Sequence, residues 1–106
     1  MTLARKTIYK EIIQAVRSSK SILITAHEDP DGDSIGSELA LGRIINQLGR
    51  EATIVNQGRV PIKYRFLPDI DRVSEVRDFQ GQANFDLALI LECPGIERTG
   101  LVKNLI

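Results

Sequence analysis

The feature that most constrains the fold is a strand-like segment, an acidic loop and a helical segment that follow one another directly. Residues 21–27 (S-I-L-I-T-A-H) are apolar and rich in β-branched side chains, which is typical of a strand covered on both faces. From Ile35 to Leu48 apolar residues recur at helical spacing, and Gly49 supplies a stop. Residues 51–55 predict a second strand. This order predicts two parallel strands joined by a right-handed crossover.

Four further segments predict the rest of an α/β fold, a mostly parallel sheet with flanking helices. Residues 7–17 show the pattern of an amphipathic helix that packs on something else. Residues 73–76 and 86–92 (D-L-A-L-I-L-E) predict two more strands, and the latter is a buried type of strand that would normally be covered on both faces within a larger sheet. Residues 62–67, between two prolines, are either a short helical turn or irregular. We expect the sheet to be incomplete, because the chain stops at Ile106 inside an apolar run.

The composition excludes several classes of protein. A chain of 106 residues that is 42% apolar fits a single domain. Fourteen basic residues balance fourteen acidic ones, so the chain lacks the cationic field with which proteins bind duplex nucleic acid. No apolar run approaches the roughly 20 residues that span a bilayer, and no signal core begins the chain, so we expect a cytoplasmic protein without membrane contact. Cys93 is the only cysteine, which excludes an internal disulfide and a cysteine-based zinc site; we expect a buried, inert thiol.

Negative charge is concentrated in the loop after the first strand. Residues 21–40 contain five acidic residues and no Lys or Arg. In an open α/β sheet, ligands bind at this place, outside the carboxyl ends of the strands. Carboxylates crowded in one loop repel one another unless a cation offsets the repulsion, and oxygen ligands with one imidazole favour manganese, magnesium or iron. The pattern predicts a metal site formed by His27, Asp31 and Asp33.

Other interpretations of the loop are possible. Its acids could simply cap the following helix, which is the favoured interpretation for Asp33 taken alone. An EF-hand is excluded because, counting from Asp29, position six is Ser34 instead of Gly and position twelve is Ala40 instead of Glu. A P-loop is excluded because no Gly-Lys-Ser or Gly-Lys-Thr occurs. The helix amides at residues 34–37 could still bind an anion, and a metal beside a phosphate suggests phosphoester chemistry.

Two stretches carry a resemblance to a known family. Residues 27–37, H-E-D-P-D-G-D-S-I-G-S, resemble the first motif of the DHH phosphoesterases, and are closest to the branch of oligoribonucleases and phosphoadenosine-phosphate phosphatases called NrnA. Residues 85–100, F-D-L-A-L-I-L-E-C-P-G-I-E-R-T-G, resemble the second motif, a strand that ends in a metal-binding acid followed by Arg-x-Gly. The resemblance implies that residues 1–106 are the N-terminal part of a Rossmann-like DHH domain. The third motif, Asp-His-His, and the associated C-terminal domain are absent from this sequence.

The resemblance also implies a set of site residues. The metal ligands would be His27, Asp31, Asp33 and Glu92, with Asp31 and Asp33 as the catalytic pair and Mn²⁺ or Mg²⁺ as the cofactor. Glu92 stands where the family usually has Asp, and its side chain is one methylene longer. Arg98 either contacts phosphate or stabilises the loop.

The activity that the resemblance implies is hydrolysis of short single-stranded oligonucleotides, or of nucleotide phosphates such as phosphoadenosine phosphate, with water as the nucleophile. We expect this chain alone to be inactive, because half a ligand set cannot hold two metals. The alternatives are a non-catalytic metal- or nucleotide-binding regulatory module of the same fold, and a structural domain whose acids only cap a helix. An exposed edge or face at strand 86–92 also predicts a homo-oligomer.

Overall fold

The computed structural model describes residues 3–81 and 84–106, and its regular elements alternate along the chain. They are α1 (Leu3–Ser18), β1 (Ser21–Ala26), α2 (Gly32–Gln47), β2 (Glu51–Asn56), β3 (Val73–Glu75) and β4 (Leu87–Leu91). Short 3₁₀ segments at Ile62–Tyr64, Ile70–Arg72, Val76–Asp78 and Ile96–Leu105 connect or follow them. Within the described ranges, no helix combines the length and the apolar character needed to cross a membrane.

The four strands form one sheet in the order β3-β2-β1-β4, and every neighbouring pair is parallel. The α/β architecture predicted from the sequence is therefore confirmed. The 62–67 segment, which the pattern left open, contains a single 3₁₀ turn at Ile62–Tyr64. Since all strands run the same way, their carboxyl ends lie along one edge of the sheet.

The central strand β1 carries the core on both of its faces. Ile22, Leu23 and Ile24 are completely buried, and successive side chains of a strand point to opposite faces. Ile22 and Ile24 pack with Ile45 of α2, whereas Leu23 packs on the other side with Val102 of the last 3₁₀ segment. Burial of each such side chain stabilises the fold by roughly 1.5–3 kcal/mol.

Two elements are less buried than the sequence predicts. Val16, near the end of α1, packs against the core, whereas Ile12 and Ile13 are 48% and 51% exposed. Only the last turns of this helix therefore pack against the rest of the described structure. All five residues of β4 are half-buried rather than buried. The reason is position: in the described sheet, β4 lies at an edge and pairs only with β1. This strand is thus less buried than its apolar sequence predicts, and the expectation that an edge or a face of it is exposed is confirmed for the described residues.

Candidate functional site

Parallel pairing places two predicted ligands side by side. The last residues of β1 and β4, Ala26 and Leu91, are partners in the register. His27 and Glu92 follow them directly and therefore leave the sheet at the same edge. Glu92 has a φ of 48°, in the left-handed region that side chains other than glycine rarely adopt. This conformation ends the strand, so strand alternation does not extend to Cys93, which is only half-buried and donates from its thiol to the Gly95 carbonyl.

Three of the four predicted ligands meet at the hydroxyl of Ser34. Its Oγ lies 3.2 Å from His27 Nε2, 2.9 Å from Asp31 Oδ1 and 3.2 Å from Glu92 Oε2. A hydroxyl has one proton, so Ser34 donates to one carboxylate at a time and accepts from His27 when Nε2 is protonated. The sequence pattern indicates only a capping role for the backbone amide of this residue. The role of its hydroxyl is a finding of the structure.

Asp31 both caps α2 and faces the imidazole. Its Oδ1 accepts a hydrogen bond of 2.9 Å from the Ser34 amide, while Oδ2 lies 3.9 Å from His27 Nε2. The Ser34 amide, the Ser34 hydroxyl and, more weakly, the charge of His27 lower the pKa of Asp31 below its ordinary value. The residue that caps α2 is thus Asp31 and not Asp33, for which the sequence alone favours capping, and Asp31 Oδ2 is not used by the cap.

The capping contacts also correct one prediction. The Ser34 amide bonds to the side chain of Asp31, and the Ile35 amide donates to the Asp31 carbonyl at 3.0 Å. These two amides therefore already have partners within the chain. The suggestion that they receive an anion is wrong for this structure.

Asp33 does not join the group around Ser34. It is exposed in the first turn of α2. Across the described residues, no three His, Cys, Asp or Glu side chains are arranged to share one metal ion. The types of donor around Ser34 Oγ, two carboxylates and an imidazole, nevertheless suit a hard divalent cation.

The acidic loop is tied to the loop after β4. The Glu28 amide donates to the Arg98 carbonyl at 2.7 Å, and Arg98 Nε lies 3.6 Å from Glu28 Oε1. Both side chains are partly exposed, so their ion pair adds little stability. Of the two roles considered for Arg98, stabilising the loop is the one that these contacts favour.

The loop after β2 approaches the acidic loop from the other side, at Gly58. A Cβ at Gly58 would lie 2.8 Å from the Glu28 carbonyl oxygen and 3.4 Å from Pro30 Cδ. Backbone atoms cannot move aside as a flexible side chain can. The close approach of the two loops therefore requires glycine here.

Replacing Gly58 should accordingly destabilise the fold. We expect Gly58→Ala to lower the free energy of unfolding by about 1–3 kcal/mol, the usual cost of overpacking, as measured by urea denaturation. Gly36→Ala is the matched control: a Cβ there meets nothing within 4 Å, and alanine in a helix should stabilise by about 1 kcal/mol. Equal stability of Gly58→Ala and the parent would show that the loops are not in contact.

A buried polar network lies one helical turn beyond Ser34. Glu38 is fully buried, and its Oε1 accepts a hydrogen bond of 2.8 Å from Asn56 Nδ2. Asn56 Oδ1 in turn accepts from the Thr25 hydroxyl at 3.4 Å, whereas Glu38 Oε2 is buried without a hydrogen-bond partner. Burial raises the pKa of Glu38 to about 8, although the bond from Asn56 acts in the opposite direction. At neutral pH this carboxyl is therefore mostly protonated.

Comparisons with known proteins give relatives for parts of this chain. No family model matches. A stretch of 65 residues, 61% of the chain, is 43% identical to the bifunctional oligoribonuclease and PAP phosphatase NrnA of Thermus thermophilus. The fold superimposes on the crystal structure of an exopolyphosphatase-related protein from Bacteroides fragilis with a TM-score of 0.82, over 91% of the chain at 19% identity.

These relatives are much longer than the region compared. The match covers 19% of the length of the Thermus protein and 30% of the Bacteroides chain. At 19% identity, the Bacteroides structure supports the fold alone, and the sequence similarity to NrnA supports a relationship to phosphoesterases. The resemblance of this chain to the DHH phosphoesterases of the NrnA branch is therefore confirmed, and the partial coverage fits the N-terminal part of such a protein.

Proposed function

We propose that this chain is the N-terminal part of a metal-dependent phosphoesterase that hydrolyses short single-stranded oligonucleotides or nucleotide phosphates. The observation that carries the proposal is the meeting of His27, Asp31 and Glu92 around the Ser34 hydroxyl, at the edge of the sheet where all strands end. The substrate class follows the printed name of the Thermus relative, an oligoribonuclease and PAP phosphatase.

In this proposal His27, Asp31, Asp33 and Glu92 hold Mn²⁺ or Mg²⁺. When bound, such a cation activates water and stabilises the oxygens of the phosphate group. The carboxylate of Asp31 is ionised at neutral pH, as is usual for an aspartate, and hydrogen bonds from Ser34 lower its pKa further, so it binds a cation without first losing a proton. Ser34 orients the carboxylates of Asp31 and Glu92, and the contacts between Glu28 and Arg98 hold the loop in place.

A non-catalytic metal- or nucleotide-binding module of the same fold is the second candidate. Two observations favour it: Glu92 stands where the family usually has Asp, and Asp33 lies apart from the other proposed ligands. The lack of turnover by this chain alone stays a prediction under both candidates. Self-association likewise stays a prediction.

Metal binding tests the site directly. Manganese should raise the melting temperature of the chain, because a ligand at 100 times its Kd stabilises the folded state by about 2.7 kcal/mol. We expect Asp31→Asn combined with Asp33→Asn to remove this increment. The matched control is Asp69→Asn with Asp71→Asn, which changes two exposed aspartates at the same spacing and should respond as the parent does. If the Asp31 and Asp33 double variant responds like the parent, the site is wrong.

A further inference from the structure

A short segment beside the acidic loop alternates basic and large apolar side chains. Residues 62–66, I-K-Y-R-F, are called here the aromatic turn. Its backbone is held by hydrogen bonds from the Tyr64 amide to the Pro61 carbonyl, at 3.0 Å, and from the Arg65 amide to the Ile62 carbonyl, at 3.1 Å. Positive charge interleaved with aromatic rings is the combination with which proteins bind single-stranded nucleic acids.

The aromatic turn borders the proposed metal site. A Cβ at Gly32 would lie 3.0 Å from Tyr64 Cε1 and 3.2 Å from Tyr64 Oη, so the ring packs directly on this glycine. Gly32 separates Asp31 from Asp33 in the chain. The tyrosine is therefore within reach of any ligand whose phosphate lies at the acidic loop.

Apolar surface and positive charge are both accessible on the aromatic turn. Ile62 and Phe66 are each 79% exposed, the largest exposures among the big apolar residues that the structure describes. Lys63 Nζ lies 5.1 Å from the centre of the Tyr64 ring, a cation–π contact that keeps a positive charge beside the ring. The Phe66 ring is exposed and the Tyr64 ring is half-buried; accessible ring surface favours stacking, and the nearby ammonium favours a phosphate.

We propose that the aromatic turn binds the base of a nucleotide whose phosphate lies at the acidic loop. The base stacks on the ring of Tyr64 or Phe66, and Lys63 offsets the charge of the phosphate. The position of the phosphate rests on the proposed function; the stacking contact does not. A second copy of this chain is a poorer occupant, because a two-fold contact would bring Lys63 and Arg65 of both copies together.

Two ligands that differ only in the base provide the test. Adenosine 5′-monophosphate and ribose 5-phosphate share the phosphate and the sugar, and their affinities are compared by isothermal titration calorimetry with Mg²⁺ present. We expect the nucleotide to bind about tenfold more tightly, since base stacking on an aromatic ring is worth roughly that factor or more. Tyr64→Leu should reduce the affinity for the nucleotide to near that for ribose 5-phosphate, because the ring that stacks on the base is lost.

Further variants separate stacking from folding. Tyr64→Phe keeps the ring and should keep the preference for the nucleotide, whereas Phe66→Leu should reduce the preference in part. Tyr9→Leu is the control, because Tyr9 is a half-exposed aromatic residue on α1; it should change neither affinity. Thermal melting identifies any variant that is not folded. If either Tyr64→Leu or Phe66→Leu is not folded, the other of these two variants decides the result.

The outcomes distinguish the stacking proposal from the proposed function. Equal affinities of the parent for the two ligands, or no binding of either, overturn the stacking proposal and leave the manganese titration to decide the metal site. A base preference that survives in both Tyr64→Leu and Phe66→Leu also overturns it. A dimer of the parent chain that dissociates in Tyr64→Leu or Phe66→Leu would likewise overturn the stacking proposal. If manganese does not stabilise the chain but Tyr64→Leu still abolishes the base preference, the stacking proposal is supported and the assignment of the metal site is wrong.

Discussion

The free energy of unfolding should fall by on the order of 5 kcal/mol as the pH rises from about 4.5 to about 8, because Glu38 is buried. In the unfolded chain this carboxyl ionises near its ordinary pKa of 4.5, whereas in the folded chain burial raises the pKa to about 8. Between these two pH values the Glu38 carboxyl is ionised in the unfolded chain but still protonated in the folded chain. The stabilisation of the folded state by protonated Glu38 is therefore complete below pH 4.5, declines as the pH rises from 4.5 to 8, and is lost above pH 8.

Urea denaturation at a series of pH values measures this effect. Glu38→Gln is nearly isosteric and carries no ionisable group, so it should remove the decline and exceed the parent in stability above pH 8. Glu51→Gln, at an exposed position of β2, should keep it. The pKa values of Asp31 and Asp86 are lowered by hydrogen bonds from backbone amides, so their contribution is lost only as the pH falls below about 4. A parent whose stability is constant from pH 5 to pH 8 would contradict the prediction.

Manganese affinity should fall by about 10- to 100-fold in Glu92→Gln, because a proposed ligand loses its charge. Glu92→Asp keeps the charge and should weaken binding little or even improve it. The backbone supports this order, since φ at Glu92 is 48° and aspartate tolerates the left-handed region better than glutamate does.

A purely structural Glu92 predicts the opposite order. Glutamine could still accept the hydrogen bond from the Ser34 hydroxyl, 3.2 Å away from Oε2, whereas the shorter aspartate would be drawn back from it. Manganese titration of the two variants by calorimetry, with Glu51→Gln as an exposed control, separates the two cases. An unchanged affinity in Glu92→Gln would remove Glu92 from the proposed site.

The strands and the long helix could be predicted because local patterns determine them. Residues 21–26 form β1 and residues 51–56 form β2, within a residue of the predicted bounds, and α2 ends just before Gly49. What covers an element depends on distant residues, so the exposure of Ile12 could not be predicted from the sequence. The last 3₁₀ segment has no clear period and turns at Gly100, with a φ of 65°, yet it brings Val102 into the core.

The site was predictable to a similar extent. The proximity of His27 and Glu92 follows from parallel pairing of their strands. The Tyr64 contact with Gly32 joins segments far apart in the chain, and no local pattern indicates it. Glu38 did leave a signal: it shares the buried face of α2 with Ile35, Gly42 and Ile45, where an acid is out of place.

The three loops at the carboxyl edge of the sheet contact one another in a closed circuit. The loop after β1 packs on Gly58 and bonds to Arg98, and the Leu101 amide donates to Gln57 Oε1 at 2.6 Å, which joins the loop after β2 to the segment after β4. A shift in one loop therefore displaces both others, and substitutions within the circuit should combine non-additively. An insertion in any one of these loops should therefore require compensating changes in the other two, so the lengths of the three loops depend on one another.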